Sequence, residues 1–315
     1  MKVLITATNL LPVLAEWRPY FEEQGAEVIA AEVNERLSEA ELLPLVADID
    51  GAVVGDDDWN AKVIAAAPQL KVLSKWGTGI DSIDQAACAE AGVVVRNVTN
   101  AFTDPVADTT MSYALSLLRQ VPATDADMKN GVWHKRPVRC LAECTVGVIG
   151  LGNIGQAVAK RMRAAGATVL GNDVRELEAA RLAELEVTLV PKEQLLAEAD
   201  IISLNCDLNP SSHHILGEAE FSQMRQGVLV INTARGPLID EPALVAALEN
   251  GTVGGAGLDV FEDEPLPSDS RLRSMSNVLL APHNANSSPR AYQAVHQASI
   301  DNVFSVLQPA QVPVS

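Results

Sequence analysis

The 315-residue chain is poor in cysteine and in positive charge, and it has no long apolar run. Its four cysteines, Cys88, Cys140, Cys144 and Cys206, are scattered with no CxxC pair, which argues against a thiolate zinc site and a disulfide framework. Unpaired thiols of this kind fit a reducing cytoplasm. No stretch of about 18 apolar residues occurs, so no membrane span is expected. The opening MKVLITATNL reads as a buried strand rather than a cleavable signal. Lysine and arginine number 23 against 41 acids, a formal net charge of -18. That field repels phosphate backbones and excludes nucleic acid as an expected partner. A local cationic site can still hold a small anionic metabolite.

What is present is a regular alternation of short apolar runs with helical patterns, the signature of βαβ units and parallel sheets. The first series of strands is KVLITA from Lys2, AEVIAAE from Ala26, DGAVVG from Asp50, KVLSKW from Lys71 and VVVRN from Val93. Helical segments at Leu14–Gln24, Glu39–Leu45 and Ile83–Ala91 lie between them, with Gly25 and Gly92 placed as left-handed stops. After a long helix over about Asp104–Arg119 comes a second series: TVGVIG at Thr145, TVLGND at Thr168, VTLV at Val187, DIISLN at Asp200, GVLVINT at Gly227, GAGLDV at Gly255 and NVLLAP at Asn277. A helix over about Pro289–Leu307 and a proline-containing tail close the chain. The expected fold is α/β, with two doubly wound parallel-sheet domains and a cleft between them. Ligands are then expected at the carboxyl ends of strands.

The strand TVGVIG runs into Gly150-Leu151-Gly152-Asn153-Ile154-Gly155 and then a helical QAVAKRMRAAG. A GxGxxG alone is common; between a strand and a helix it has the context of a dinucleotide turn. Gly150 permits the tight turn, Gly152 the approach of pyrophosphate and Gly155 the packing of helix on strand. The backbone N–H groups of Asn153 and Ile154 face the phosphates from a helix N-terminus. The next strand ends at Asp173, whose carboxylate accepts from ribose hydroxyls and repels a 2′-phosphate, favouring NAD over NADP. Arg175, two positions on, softens that repulsion.

Three later strands end in groups suited to oxidising a hydroxy acid or reducing a keto acid. Arg235 follows GVLVINT, where a guanidinium can grip a carboxylate bidentately or simply cap a surface loop. Four acids crowd Asp259–Glu264. Asp259 lies inside an apolar run and could accept from the nicotinamide carboxamide, and Glu264, fixed before a proline, is a candidate partner for a histidine. Of five histidines (134, 213, 214, 283 and 296), His283 is the one directly after a buried strand in this half. An imidazole beside a carboxylate is suited to removing an alcohol proton and returning it.

Together these segments resemble the D-isomer-specific 2-hydroxyacid dehydrogenase family over nearly the whole chain. The motifs are KWGTGIDSID at Lys75–Asp84, VADTTMSYALSLLRQ at Val106–Gln120, GVIGLGNIG at Gly147–Gly155, VINTARGPLIDEPAL at Val230–Leu244, AGLDVFEDEP at Ala256–Pro265 and LAPHNANSSP at Leu280–Pro289. The resemblance implies that Arg235 holds the substrate carboxylate, that Glu264 rather than Glu262 orients the histidine, and that His283 is the acid/base. It also implies a flavodoxin-like substrate-binding domain of residues 1–99 and 289–315, with a Rossmann NAD domain of residues 100–288 inserted in it. Lys75, Trp76, Gly77, Thr78 and Gly79 would contact substrate. Thr110, Cys206, Asp207, Thr233 and Ala234 would line the cofactor. A homodimer built through the NAD domains is the family expectation.

Three departures qualify the resemblance. Asn284-Ala285-Asn286-Ser287-Ser288 replaces a glycine-rich stretch, NCDLNPSSHH at Asn205–His214 replaces a proline-and-threonine loop, and the serine-binding regulatory domain of some phosphoglycerate dehydrogenases is not expected. The first substrate expected is 3-phosphoglycerate, with Lys75, Lys135, Arg136 and Arg139 as sources of positive charge. Glyoxylate or hydroxypyruvate reduction is the second. A dimeric NAD(H)-sensing binding protein of corepressor type is the reading from another class. Formate dehydrogenases carry a glutamine where Glu264 stands.

Overall fold

The computed structural model describes residues 1–308; the tail from residue 309, expected to close the first domain, lies outside them. The chain divides into two compact units: Met1–Phe102 with the segment from Ser288, and Thr103–Ser287.

In the first unit five parallel strands run in the order β2-β1-β3-β4-β5: β1 Lys2–Ile5, β2 Glu27–Ala30, β3 Gly51–Val54, β4 Val72–Lys75 and β5 Val94–Arg96. The central strands β3 and β4 are buried at every residue, because helices cover both faces of the sheet. Gly25 and Gly92 take positive φ (67° and 71°) and stop the helices before them, as expected. Asp84 caps the helix Gln85–Ala91 by accepting from Ala87 N. The helix Pro289–Leu307, capped by Ser288, returns from the far end of the sequence to lie on β3 and β4.

The second unit holds seven parallel strands in the order β12-β11-β10-β9-β6-β7-β8. They are β6 Thr145–Ile149, β7 Thr168–Asn172, β8 Thr188–Leu189, β9 Ile201–Leu204, β10 Val228–Asn232, β11 Val253–Leu258 and β12 Val278–Leu280. The fold is therefore the expected pair of doubly wound α/β sheets. The order reverses between β6 and β9, so the loops leaving those two strands part there and open a crevice at the carboxyl edge. The helix Thr103–Leu118 buries Val106, Thr110 and Tyr113 on one face. A Cβ on Gly257 would come within 2.7 Å of Tyr113 Cβ, so this helix meets β11 where the strand has no side chain. No helix among the described residues is long and apolar enough to cross a membrane.

One buried histidine gives the first unit a pH dependence. His296 is 5% exposed, and its Nδ1 accepts from Trp76 Nε1 at 2.9 Å, so the neutral ring is the form that fits. Burial pushes its pKa below the ordinary histidine range, with the Glu16 carboxylate opposing. A histidine depressed on folding stabilises the fold fully above its unfolded pKa of about 6.5, and that contribution is lost as pH falls through the lower folded value. The wild type should lose more thermal stability between roughly pH 7.5 and 5 than His296→Gln, which accepts the same bond without titrating. Parallel melting curves against pH check this; identical slopes would remove His296 as the cause.

Candidate active site

The glycines of the turn after β6 are required for different reasons. A Cβ on Gly150 (φ 90°) would lie 2.5 Å from Cys206 N, and one on Gly155 would lie 1.9 Å from Gly150 O. Those two let the turn press against the loop after β9 and let the helix Asn153–Ala164 start against the turn. Gly152 differs: its Cβ would meet nothing nearer than Arg175 Nη2 at 3.9 Å. The space above it is not filled by the chain, which suits a pyrophosphate resting on the start of that helix at Asn153 and Ile154.

Asp173 follows β7. Its Oδ2 accepts from Leu151 N at 2.7 Å, and Arg175 binds both its oxygens through Nε (3.0 Å) and Nη2 (2.9 Å). Burial raises the Asp173 carboxyl, but bonds from Arg175 and Leu151 outweigh it, and the pKa is lowered on balance. Cys206 and Asp207 follow β9 beside Gly150, and burial pushes the Cys206 thiol up to about 11. Thr110 is fully buried and shares a 3.0 Å hydrogen bond with Thr233, joining the long helix to the end of β10. Ala234 N donates to Asn232 Oδ1 (3.1 Å), while Asn232 Nδ2 donates to Arg235 O (2.8 Å). Asn232 thus folds the turn that presents Arg235. It was not among the expected site residues, although an asparagine closing an apolar strand was the available signal.

At the ends of β10, β11 and β12, three neighbours in the sheet, the expected chemical groups come together. His283 Nδ1 lies 2.9 Å from Glu264 Oε2, and Glu264 Oε1 accepts from Phe261 N at 3.0 Å. The carboxylate is thereby fixed by its own loop and orients the ring. Gly236, next to Arg235, sits so close to the β11 loop that a Cβ would lie 1.8 Å from Phe261 O. The Arg235 turn and the Glu264 loop are in backbone contact.

His283 itself has a left-handed backbone, φ 49°. Such a conformation costs roughly 1–2 kcal/mol in a non-glycine residue, and Asp259 holds it. His283 N donates to Asp259 O (2.7 Å), Asn284 N to Oδ1 (3.0 Å) and Ala285 N to Oδ2 (2.8 Å). Asp259 was expected to meet the nicotinamide carboxamide; each of its carboxylate oxygens also accepts from a backbone N–H of the His283 loop. Burial raises its carboxyl pKa, the two backbone bonds opposing.

The residues of the first unit expected to contact substrate have their own partners within that unit. Trp76 packs against Phe102 and Tyr292 (ring centroids 5.5 and 5.1 Å), and Gly77 O accepts from Val98 N at 2.8 Å. Thr78 Oγ1 donates to Val98 O at 3.0 Å, so the Trp76–Gly79 turn is tied down. Lys75 is 3% exposed, with Nζ 2.6 Å from both Gly55 O and Asp56 Oδ1. Its charge is balanced inside the unit. Arg136 binds Asp127, and Arg139 binds Asp200, which precedes β9 at the amino edge of the second sheet. Among the charges expected to meet a substrate phosphate, these three are engaged with acids.

Residues 111–285 match the sequence pattern of the D-isomer specific 2-hydroxyacid dehydrogenase NAD-binding domain. The chain is 36% identical over 288 residues to a D-3-phosphoglycerate dehydrogenase of Methanocaldococcus jannaschii, covering 90% of this chain and 54% of that protein. It is 35% identical over 280 residues to a hydroxypyruvate reductase of Thermotoga maritima, covering 87% and 90%. The chain thus spans about half the length of the first relative and most of the second. A D-lactate dehydrogenase of Aquifex aeolicus, solved with NAD and lactic acid, superposes with a TM-score of 0.87 at 26% identity, covering 98% of this chain and 95% of that one. The chain belongs to the D-isomer-specific 2-hydroxyacid dehydrogenase family, and its second unit is the family's NAD-binding domain.

The glycine geometry separates folding from cofactor binding. Gly155→Ala should lower the melting temperature markedly, because its Cβ meets backbone. Gly152→Ala should melt like the wild type yet bind NADH at least about tenfold more weakly, since only the ligand's space is taken. Calorimetry and NADH fluorescence titration check both; full NADH affinity in Gly152→Ala would place the pyrophosphate elsewhere.

Proposed function

We propose that the chain interconverts a D-2-hydroxy acid and its 2-keto acid with NAD. The observation that carries this reading is the His283–Glu264 pair at the carboxyl edge of the sheet that also bears the open glycine turn. NAD, held by Gly150–Gly155 and Asp173, supplies a nicotinamide that accepts or returns the hydride. The chain's own groups do the rest. Arg235 grips the substrate carboxylate. His283 takes the hydroxyl proton in oxidation and returns it to the carbonyl oxygen in reduction. Glu264 holds the ring in place. The Asp173 carboxylate selects NAD over NADP, with Arg175 moderating the preference.

The first substrate proposed is 3-phosphoglycerate and the second glyoxylate or hydroxypyruvate; of the cations proposed for a substrate phosphate, Lys75, Arg136 and Arg139 pair with acids. Absorbance loss from NADH with a panel of 2-keto acids tests the reading. His283→Gln should lower kcat by on the order of 10²–10⁴-fold with NADH affinity kept, and Arg235→Ala should also raise KM for the keto acid. Tight NADH binding without turnover on any keto acid would favour the sensing protein instead.

The same unit supports a homodimer. Leu115, Val121, Met128, Val132 and Trp133 are exposed apolar residues clustered on the long helix and the segment after it, Trp133 at 79%. Beside them is a recess of about 520 Å³ lined by Leu117, Leu118, Pro122, Arg139 and Leu279. Exposed apolar surface of this kind marks interfaces, and a two-fold pairing would cover both copies at once. Trp133→Lys should shift the sedimenting species from dimer toward monomer; a wild type that sediments as a monomer at micromolar concentration would exclude the pairing.

A further inference from the structure

The loop after β9 carries two histidines that neither the cofactor nor the proton transfer uses. His213 and His214 stack with centroids 4.0 Å apart, and His214 has a left-handed backbone, φ 50°. Its surroundings hold it in that unfavourable region from two sides. Its N–H donates to Pro237 O at 2.8 Å, two residues beyond Arg235. Its Nε2 lies 2.5 Å from Glu262 Oε1, two residues before Glu264. Nδ1 is 3.8 Å from Asp240 Oδ2.

Glu262 sits among acids. Its Oε2 accepts from Glu241 N and its own N donates to Glu241 Oε2, both at 3.3 Å. Burial raises the Glu241 carboxyl, and the charges of Glu262 and Asp263 add to that. A carboxylate so placed is repelled by its neighbours, and His214 is a side chain that draws it in. The backbone repeats the connection: Leu216 N donates to Leu238 O, and Asp240 N to Leu216 O.

We propose that His214 is a positioning residue, clamping Glu262 so that the segment bearing Glu264 and the segment bearing Arg235 keep a fixed register. Through Glu264 that contact then bears on the orientation of the His283 ring. This rests on the catalytic reading of Arg235, Glu264 and His283 given above. Misplacement of a reacting group by about 1 Å can cost up to roughly 100-fold in rate, so a lost clamp has measurable leverage.

The test compares His214→Leu and His214→Gln in the wild-type and Glu264→Gln backgrounds, with His283→Gln alongside. His214→Leu should lower kcat roughly tenfold and leave NADH affinity unchanged. His214→Gln, whose amide can still donate to Glu262, should recover most of the loss. In the Glu264→Gln background the cost of His214→Leu should shrink below about twofold, because the path it acts through is already cut. An undiminished tenfold cost in that background, or a loss shared equally by Gln and Leu, overturns the proposal. If His283→Gln is as active as the wild type, the catalytic reading falls. If it is inactive while His214→Leu keeps full kcat, only the positioning role falls. Should no keto acid turn over, the imidazole NMR signals of His283 decide: they should move in His214→Leu and return in His214→Gln, and unmoved signals overturn the proposal.

Discussion

Asp259 ends its strand with a carboxylate that is 1% exposed, and the two N–H groups it takes, from Asn284 and Ala285, close the loop after β12 onto β11. Hydrogen bonds to a charged acceptor contribute about 1.5–3 kcal/mol each. Together they exceed the roughly 1–2 kcal/mol that a left-handed histidine costs. The balance keeps His283 turned toward Glu264 before any ligand arrives. The buried charge is tolerable because its oxygens are satisfied by backbone donors. Remove those donors and both the strain at His283 and the solvation of Asp259 go unanswered. The ring orientation, the carboxylate pair and the proximity of the Arg235 turn all depend on this closure.

The second sheet divides its carboxyl edge between two tasks. Where the strand order reverses, between β6 and β9, the loops part and the open face of Gly152 is available to a phosphate. On the neighbouring strands β10, β11 and β12 the loops converge instead, with Gly236 pressed against Phe261 and Asn232 folding the Arg235 turn. The amino edge has neither feature. Its charged groups neutralise one another, as Arg139 does with Asp200, whose other oxygen accepts from Thr145 N.

Strands covered on both faces, such as β3 and β9, were legible as near-continuous apolar runs, and the less buried β2, β5 and β8 were legible as short β-branched runs between turn and helix signals. The glycine turn was legible because its chemistry is local: strand, turn and helix adjoin in sequence. Several short helices, such as Ala61–Ala65, Ala179–Leu185 and Lys192–Glu198, were not set out, since five to seven residues carry too few turns for a period. What lay beyond reach was partnership across sequence. Asp259 showed as a buried acid, but its ties to residues 25 and 26 positions on did not. Arg139 showed as a cation, but not its ion pair 61 positions away. The departure from a glycine-rich stretch at Asn284–Ser288 looked consequential as side chains. Asp259 is bound there by backbone N–H groups, which the substitution leaves in place.

The helix Pro289–Leu307 completes a core begun nearly 300 residues earlier: Val303 and Leu307 fill the space beside Gly51, where a Cβ would stand 3.1 and 3.4 Å from them, and Phe304 packs on Phe21. Chains emerge from the ribosome N-terminus first, and domains generally fold as units in that order. Here the order is inverted. The strands made first must wait, with one face of β3 and β4 exposed, until the inserted unit has been synthesised and the last helix has cleared the exit tunnel. The unit that starts the chain is the one that finishes folding, and its uncovered sheet is the surface a chaperone would meet during synthesis.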